Sequence, residues 1–225
     1  MKLGLITYHA PHLKTEQLLR ALTLDPDLEI ALYALPLIPR PARAVRFAPR
    51  PDMTGGAHPE ALAGHYGLDY RRIGEVEVID DPLDVCVIAG AGLLPASFVE
   101  RYPVVNGHPG LQPAVRGLDA FKWAICDRMP LGISIHLIDE AVDAGRHLKS
   151  VCTPVFADDS LERLAARHYA LEIALLARFA QFLDAPEDTL PDLAERPARM
   201  RMPAEVEAAM CAGFPDYLDR FAIQS

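Results

Sequence analysis

The stretch "DVCVIAGAGLLPASFVERYPVVNGHPG", residues 84–110, decides the fold. Two largely apolar runs, residues 84–90 and 103–106, stand on either side of a segment with helical character. A short continuous apolar run is typical of a strand that is buried on both faces, as in a parallel sheet. Strand, helix and strand in this order predict one unit of a parallel α/β sheet.

The same order opens the chain. Residues 2–8 and 28–35 are apolar runs, and between them Leu18, Leu19 and Leu22 fall at helical spacing. We therefore predict an α/β fold in which helices flank a mostly parallel, Rossmann-like sheet, with a short helical C-terminal extension. The other predicted elements are a helix at 58–67, a helix at 118–127 with Asp119 as N-cap, strands at 132–138 and 147–156 around a loop at 139–145, a helix starting at Asp159 with Glu162 at capping-box spacing, and a helix from about Ala204 to Phe221.

Composition and charge argue against several classes of protein. The chain has 225 residues, of which 51% are hydrophobic, so it is long enough for one sizeable core. A net charge of −9, without a basic stripe interleaved with aromatics, argues against a nucleic-acid partner. Apolar stretches are interrupted before the roughly 18 residues that a membrane span requires, and the first residues lack a signal cleavage site. We therefore expect a cytoplasmic protein with no membrane partner.

Neither the cysteines nor the histidines form a metal-binding pattern. The four cysteines lie far apart without a C-x-x-C motif, which argues against a zinc ribbon or a disulfide framework. His9, His12, His58 and His65 lack the spacing of a catalytic zinc site, so we predict that no metal is bound.

One local charge pattern departs from the acidic average. Residues 36–51, "PLIPRPARAVRFAPRP", hold four arginines and no acid. Repeated proline removes backbone donors, so this stretch is predicted to be a long loop, and long loops in compact domains are often functional. Arg40 and Arg43 could clamp a diphosphate, because guanidinium pairs bidentately with phosphate. A solvated loop is an equally good interpretation.

Two polar side chains mark the end of the strand predicted at 103–106. Ligands of open α/β sheets bind beyond the carboxyl ends of the strands. Asn106 and His108 are two residues apart and can project the same way, and Pro109 and Gly110 then turn the chain away. An amide donates hydrogen bonds and an imidazole exchanges a proton near neutral pH, so together they could stabilise an oxyanion.

Three motifs occur in order along the chain: "NGHPGLQP" at 106–113, "GISIHLIDEAVDAGRHL" at 132–148 and "VCTPVFADDSLERL" at 151–164. They resemble the catalytic domain of the folate-dependent formyltransferases. The resemblance runs from about Asp84 to Leu183, and the first eighty residues resemble that domain in fold pattern only. It implies a formyltransferase catalytic domain at 1–183, followed by a linker and a C-terminal helix at 184–225.

The resemblance also implies site residues. The catalytic Asn, His and Asp of the family fall on Asn106, His108 and Asp143, with Asp143 favouring the protonated imidazole. A substrate-contacting glutamate falls on Glu172, for which a half-exposed surface acid is the alternative. N10-formyltetrahydrofolate is the implied formyl donor, and its pterin ring would be held by the backbone of two loops. The residues of those loops are Ala89, Gly90, Leu93, Leu94, Asp139, Glu140, Ala141 and Val142. Gly110 and His136 are further candidates for substrate binding, and a packed strand residue close to the site is the alternative for His136.

The acceptor is narrowed by the first loop, "TYHAPHLKT" at 7–15, which has no glycine. The purine enzyme of the family cradles a ribonucleotide phosphate in a glycine-rich loop there, so the loop argues against glycinamide ribonucleotide. The acidic charge and the lack of a C-terminal barrel argue against methionyl-tRNA. We expect a small primary amine. "NGHPG" at 106–110 and "RPARMRMP" at 196–203 resemble the sugar N-formyltransferases of the family, and this resemblance implies a nucleotide-linked amino sugar.

The sequence leaves other functions open as alternatives. A purine transformylase, a hydrolase that passes the formyl group to water, and a non-catalytic folate- or nucleotide-binding protein are the alternatives. The terminal helix either seals a homodimer or packs back on the core.

Overall fold

The computed structural model describes residues 1–39, 44–139, 145–185 and 193–223. The strands are β1 (Lys2–Tyr8), β2 (Glu29–Leu35), β3 (Asp69–Arg72), β4 (Val85–Ile88), β5 (Val104–His108), β6 (Gly132–Leu137) and β7 (His147–Cys152). The helices are α1 (Leu13–Leu22), α2 (Pro59–Tyr66), α3 (Ala96–Arg101), α4 (Ala120–Cys126), α5 (Leu161–Leu176), α6 (Ala180–Leu183), α7 (Ala204–Ala212) and α8 (Phe214–Phe221). The strands form one sheet of order β3-β2-β1-β4-β5-β6-β7. Neighbours from β1 to β5 are parallel, and β6 with β7 is antiparallel, which confirms the predicted mostly parallel sheet flanked by helices.

The described residues divide into two compact units. Unit 1 holds residues 1–39, 52–106 and 137–139, and unit 2 holds residues 44–51, 107–136, 145–185 and 193–223. The predicted boundary between a catalytic domain at 1–183 and an extension at 184–225 stays a prediction.

The sheet of unit 1 is built around β1. Leu5 lies opposite Leu32 of β2 on one side and opposite Val87 of β4 on the other. All three side chains are fully buried, and burial of one such side chain contributes about 2 kcal/mol. The apolar runs of the sequence identify these strands because the strands are covered on both faces.

β3 was not indicated by the sequence. Its four residues, Asp69 to Arg72, are polar and mostly exposed. The strand exists because its backbone pairs in parallel with β2, Ala31 opposite Asp69. A polar edge strand carries no apolar alternation, so only the pairing reveals it.

Unit 2 has its own hydrophobic core, to which helices α4, α5, α7 and α8 contribute. The buried residues of this core include Phe121, Ala124, Ile125, Leu164, Met210, Phe214 and Tyr217. The Tyr217 hydroxyl donates to the carbonyl oxygen of Met129 at 3.0 Å. The terminal helices therefore pack back on the core of their own chain, and a homodimer stays a prediction.

The prediction of one helix from Ala204 to Phe221 is wrong. α7 ends at Ala212 and α8 begins at Phe214, with Gly213 at the junction. Pro215 lacks an N–H group and therefore fits the first turn of a new helix, where no donor is needed, better than a helix interior.

Among the described residues, no helix combines the length and hydropathy needed to cross a bilayer.

Of the two predicted N-caps, Asp159 is wrong and Asp119 is confirmed in position only. Ser160, and not Asp159, caps α5 by accepting the N–H of Arg163 at 3.2 Å. Asp159 instead binds Arg167 through both carboxylate oxygens, at 2.7 and 2.8 Å. Asp119 does occupy the N-cap position of α4, but its carboxylate accepts the N–H of Met202 and caps no helical amide.

Candidate active site

His108 ends β5 and is buried, with 3% of its surface exposed. Its Nε2 lies 2.9 Å from the carbonyl oxygen of Val115. A carbonyl only accepts, so Nε2–H donates, and the proton that this imidazole can exchange is at Nδ1. Gly110 leaves room for this bond, because a Cβ there would lie 2.7 Å from the Val115 oxygen and 2.9 Å from His108 Nε2.

Asn106 lies two residues earlier on β5 and is half-buried. The strand therefore keeps the two-residue spacing that the sequence predicts, with alternate side chains on one face. Six predicted site residues lie outside the described residues: Asp143, Glu140, Ala141, Val142, Arg40 and Arg43. Their roles stay predictions.

Glu172 lies on α5 and is fully buried. Its Oε2 accepts a hydrogen bond from Arg50 Nη2 at 2.7 Å. Its Cγ would lie 3.4 Å from a Cβ added to Gly107, so the stem of the side chain packs against β5. The alternative that Glu172 is a half-exposed surface acid is wrong, because the side chain is fully buried. The guanidinium of Arg50 offsets the cost of burying the carboxylate.

A cavity of about 290 Å³ opens in unit 2. Segment 44–51, α4 and α5 supply most of its lining. The rings of Phe47 and Phe121, 6.0 Å apart, form an apolar wall, and Arg50 and Glu172 supply charge. Pro109, the neighbour of His108, also lines it. A largely apolar concavity with a few fixed polar groups is typical of a small-molecule site.

His168 is a further wall residue of this cavity. Burial lowers the pKa of His168 to about 4, although the charge of Glu172 opposes the shift. Its Nδ1 lies 2.7 Å from the Thr153 hydroxyl and its Nε2 lies 3.3 Å from the carbonyl oxygen of Pro109. The carbonyl must accept, so Nε2–H donates to it and ties α5 to the residue after His108. The lowered pKa keeps the ring neutral at neutral pH.

Tyr169, next to His168, also lines the cavity. Burial, together with the charge of Glu172, raises the pKa of Tyr169 to about 12. The phenol therefore stays protonated at neutral pH and can donate a hydrogen bond.

In unit 1, the loop after β4 holds four of the residues predicted to bind the donor. The N–H groups of Ala89 and Gly90 both donate to the carbonyl oxygen of Ile6, at 2.9 and 3.1 Å. Leu93 is 88% exposed, whereas Leu94 packs, with Ile138, against one apolar cluster of unit 1. Asp139 follows Ile138 and is exposed. Leu94 and Ile138 therefore provide partly buried apolar surface in unit 1.

His136 and Gly110, predicted to bind substrate, are both buried. His136 is a fully buried residue of β6, as expected for a packed strand position. A side chain at Gly110 would collide with His108 and Val115. Their substrate contacts stay predictions.

The N-terminus of α1 is covered by backbone. The N–H of His12 donates to the carbonyl oxygen of Ala57 at 3.3 Å. A Cβ on Gly56 would lie 2.4 Å from the backbone nitrogen of Leu13. The N–H of Ala57 in turn donates to the carboxylate of Glu16 at 2.7 Å. Residues 56 and 57 therefore fill the space in which a helix N-terminus would otherwise bind an anion.

One group of side chains in unit 1 has the composition of a metal site. Ligand atoms of His9, His58 and Glu60 lie within 4.8 Å of one another. Both rings already have protein partners: His9 Nδ1 bonds to the Tyr70 hydroxyl at 2.5 Å, and His58 Nδ1 accepts the N–H of Glu60 at 3.3 Å. The prediction that no metal is bound stays a prediction.

These observations define an α/β protein. In unit 2, a histidine ends one strand of the sheet, and the residue after it lines a largely apolar cavity. The formyl transferase family matches residues 61–179, more than half of the chain, so the chain belongs to the formyl transferase family. This confirms the predicted resemblance, and the match begins earlier than Asp84.

The relatives agree with this assignment. The chain is 33% identical over 89 residues to the phosphoribosylglycinamide formyltransferase of Haemophilus influenzae, which covers 38% of this chain and 42% of that protein. The chain therefore spans less than half the length of this relative. A solved sugar N-formyltransferase from Shewanella sp FDAARGOS_354 has a TM-score of 0.58 at 19% identity, covering 86% of this chain and 75% of that one.

A phosphoribosylglycinamide formyltransferase from Anaplasma phagocytophilum has a TM-score of 0.56 at 21% identity, covering 79% and 83% of the two chains. At such identities the structural likeness concerns the fold alone.

Sequence reasoning missed Arg50 and His168 as parts of the site. Arg50 belongs to the arginine-rich stretch, but its partner Glu172 is 122 residues away in sequence. His168 precedes Glu172 by four residues, which is the spacing of neighbours on one helix face. A histidine and a glutamate at that spacing on the helix predicted from Asp159 were the signal that the sequence offered.

Proposed function

We propose that this protein transfers a formyl group from N10-formyltetrahydrofolate, the donor of the formyl transferase family, to the primary amine of a small molecule. The amine binds in the cavity of unit 2. The observation that carries the proposal is the buried pair of Glu172 and Arg50 at the wall of that cavity. A carboxylate that accepts hydrogen bonds in an apolar site can orient an N–H group of an amine.

The chemistry needs no covalent intermediate with the protein. The amine nitrogen attacks the formyl carbon, which gives a tetrahedral intermediate whose oxygen is negative. The bond from this carbon to N10 then breaks, the amine nitrogen loses a proton, and N10 gains one. The products are a formamide and tetrahydrofolate.

His108 would serve this reaction in two ways. As the imidazolium it donates from Nδ1 to the developing oxyanion and then passes this proton to N10 as the bond to N10 breaks; the neutral ring that results takes up the proton that the amine loses. Its bond to Val115 fixes the ring for both tasks. The family roles of Asn106, as second donor, and of Asp143, as the group that favours the imidazolium, complete the proposed mechanism.

The donor fits the loop of unit 1 that follows β4. Leu94 and Ile138 offer apolar surface against which a flat pterin ring can pack. The N–H groups of Ala89 and Gly90 donate to the carbonyl oxygen of Ile6. In the proposal, the pterin ring is therefore recognised by the carbonyl groups of these two residues. Leu93 and Asp139, both exposed, border this surface in the proposal.

For the acceptor we favour a nucleotide-linked amino sugar. The covered N-terminus of α1 argues against glycinamide ribonucleotide, because the phosphate of that substrate needs open backbone N–H groups. A cavity of about 290 Å³ accommodates an amine-bearing sugar ring better than a whole nucleotide sugar. Arg50, with 40% of its side chain exposed, can pair with an anionic group of the acceptor.

The test is turnover with a panel of amines. The protein is mixed with N10-formyltetrahydrofolate and, in turn, nucleotide amino sugars, glycinamide ribonucleotide and buffer alone, and formamide product and formate are measured by mass spectrometry. We expect formylated amino sugar and matching tetrahydrofolate, with neither produced in buffer alone. Formate in buffer alone would assign the hydrolase, formylated glycinamide ribonucleotide the purine transformylase, and donor binding without turnover the non-catalytic protein.

A further inference from the structure

Segment 44–51, one wall of the cavity, is held at two points within unit 2. Arg50 binds Glu172, as described above. At the other point the N–H groups of Arg46 and Phe47 donate to Glu207 of α7, at 2.9 and 3.4 Å. Both acceptors are buried glutamates, so an irregular segment of backbone is fixed by two carboxylates.

Glu207 has a third partner. Its Oε1 lies 2.5 Å from Lys122 Nζ, and both side chains are at most 2% exposed. Burial alone would raise the pKa of Glu207, but the bonds from Lys122 and from the two N–H groups hold it below its usual value. Because Lys122 belongs to α4, this single carboxylate joins segment 44–51, α4 and α7.

Stability alone is a weak reason for such an arrangement. Replacing a buried ion pair by apolar residues of similar volume is often neutral or stabilising. An apolar side chain at 207, however, would leave the N–H groups of Arg46 and Phe47 without this acceptor, and unpaired buried donors are costly. The carboxylate therefore specifies one conformation of the segment that carries Phe47 and Arg50.

We propose that Glu207 is a positioning residue for acceptor binding: through Lys122 and the backbone of residues 46 and 47, it holds Phe47 against Phe121 and Arg50 against Glu172. This inference rests on the proposed function. The inference also goes beyond the proposed function, because neither segment 44–51 nor Glu207 lies in the part of the chain that matches the family, residues 61–179.

The experiment compares wild-type protein with Glu207→Gln and Glu207→Met in two assays. Gln keeps one oxygen, which can accept from one of the two backbone N–H groups, but loses the charge that Lys122 needs, whereas Met offers no acceptor and no charge. In steady-state kinetics, we expect the KM for the acceptor to rise about tenfold for Gln and more for Met, with kcat within about threefold and the KM for the donor unchanged. In hydrogen exchange, peptides covering 44–51 should exchange about tenfold faster.

Asp159→Asn is the matched control. It breaks another ion pair of unit 2, Asp159 with Arg167, whose residues do not line the cavity. A merely structural role predicts that this variant and Glu207→Gln lose stability alike and leave the KM for the acceptor unchanged. The proposal predicts that only Glu207→Gln changes this KM.

Three outcomes overturn the proposal: unchanged exchange in 44–51, an unchanged KM for the acceptor despite faster exchange, or an equal rise of KM in the control. If Glu207→Gln does not fold, Glu207→Asp, which keeps the charge but shortens the reach, replaces it with the same expectations at smaller size. If wild-type protein formylates no amine, the proposed function fails, and the exchange assay alone decides for or against the positioning of the segment.

Discussion

The segment that follows β1 and the end of β5 each carry a histidine, and the two histidines differ in what surrounds them. After β1, in unit 1, His12 Nδ1 bonds to the Thr15 hydroxyl at 2.8 Å, and residues 56 and 57 cover the start of α1. At the end of β5, His108 is fixed by Val115, and the next residue, Pro109, lines the cavity of unit 2. The comparison shows that backbone fills the space at the start of α1, whereas a cavity lies beside the residue that follows β5.

The largest expected effect separates the two histidines. Replacing His108 by Gln should lower kcat/KM for formyl transfer roughly a thousandfold, because it removes both the acid–base group and an oxyanion donor. His12→Gln, at the covered start of α1, should change it less than about fivefold. Initial rates measured by mass spectrometry check this. Equal losses in the two variants would break the comparison.

The stability of the protein at acid pH should depend on His168, which lines the cavity of unit 2. Because burial lowers the pKa of His168 to about 4, the unfolded chain binds a proton between pH 6.5 and 4 that the folded protein resists. The contribution of His168 to the free energy of unfolding is thus fully present above pH 6.5. Up to about 3 kcal/mol of this free energy is lost as the pH falls towards 4.

The measurement for His168 is urea unfolding at several pH values. Carboxylates also titrate below pH 5, so the wild-type protein is compared with His168→Gln at each pH. The stability of the variant should fall less steeply on acidification. Parallel curves would mean that His168 is not buried as a neutral ring.

A pair of neighbouring glycines tests the cover over the start of α1. Gly56→Ala should cost about 2 kcal/mol, because its Cβ would lie 2.4 Å from the backbone of Leu13. Gly55→Ala is the control, since a Cβ there meets nothing within 4 Å among the described residues. Midpoints of urea unfolding give both values. If the two variants are equally stable, α1 is not covered by residue 56.

The smallest expected effect compares two carboxylates. Glu172→Gln should raise the KM for the acceptor about tenfold, since it removes the charge that pairs with Arg50 and orients the amine. Glu16→Gln, which alters the carboxylate that accepts the N–H of Ala57, should leave this KM within about twofold. A rise of similar size in Glu16→Gln would place part of the acceptor at the N-terminus of α1.

The sequence predicted the parts of the fold in which apolar residues face a core. β1, β2, β4 and β5 are continuous apolar runs, and β5 led to His108 at its end. Glu172 was indicated by the resemblance to the formyltransferases. Which arginine pairs with it was beyond the sequence, because Arg50 and Glu172 meet only through tertiary packing.

Other features depend on backbone contacts that leave no pattern in the sequence. β3 exists through its pairing with β2, and the cover over α1 depends on Gly56, which looks like any loop glycine. Glu207 lies on a helix with no clear apolar stripe, and its role follows only from the backbone N–H groups of residues 46 and 47. These contacts join residues that are distant in sequence, so local propensity does not encode them.

The central claim is that the acceptor amine binds in the cavity of unit 2. A crystal structure with the formylated product bound tests it most directly. The account predicts that the formamide nitrogen lies within hydrogen-bond distance of the Glu172 carboxylate, with the rest of the product beside Phe47 and Phe121. Product bound at the N-terminus of α1, with the cavity of unit 2 filled by solvent, would contradict it.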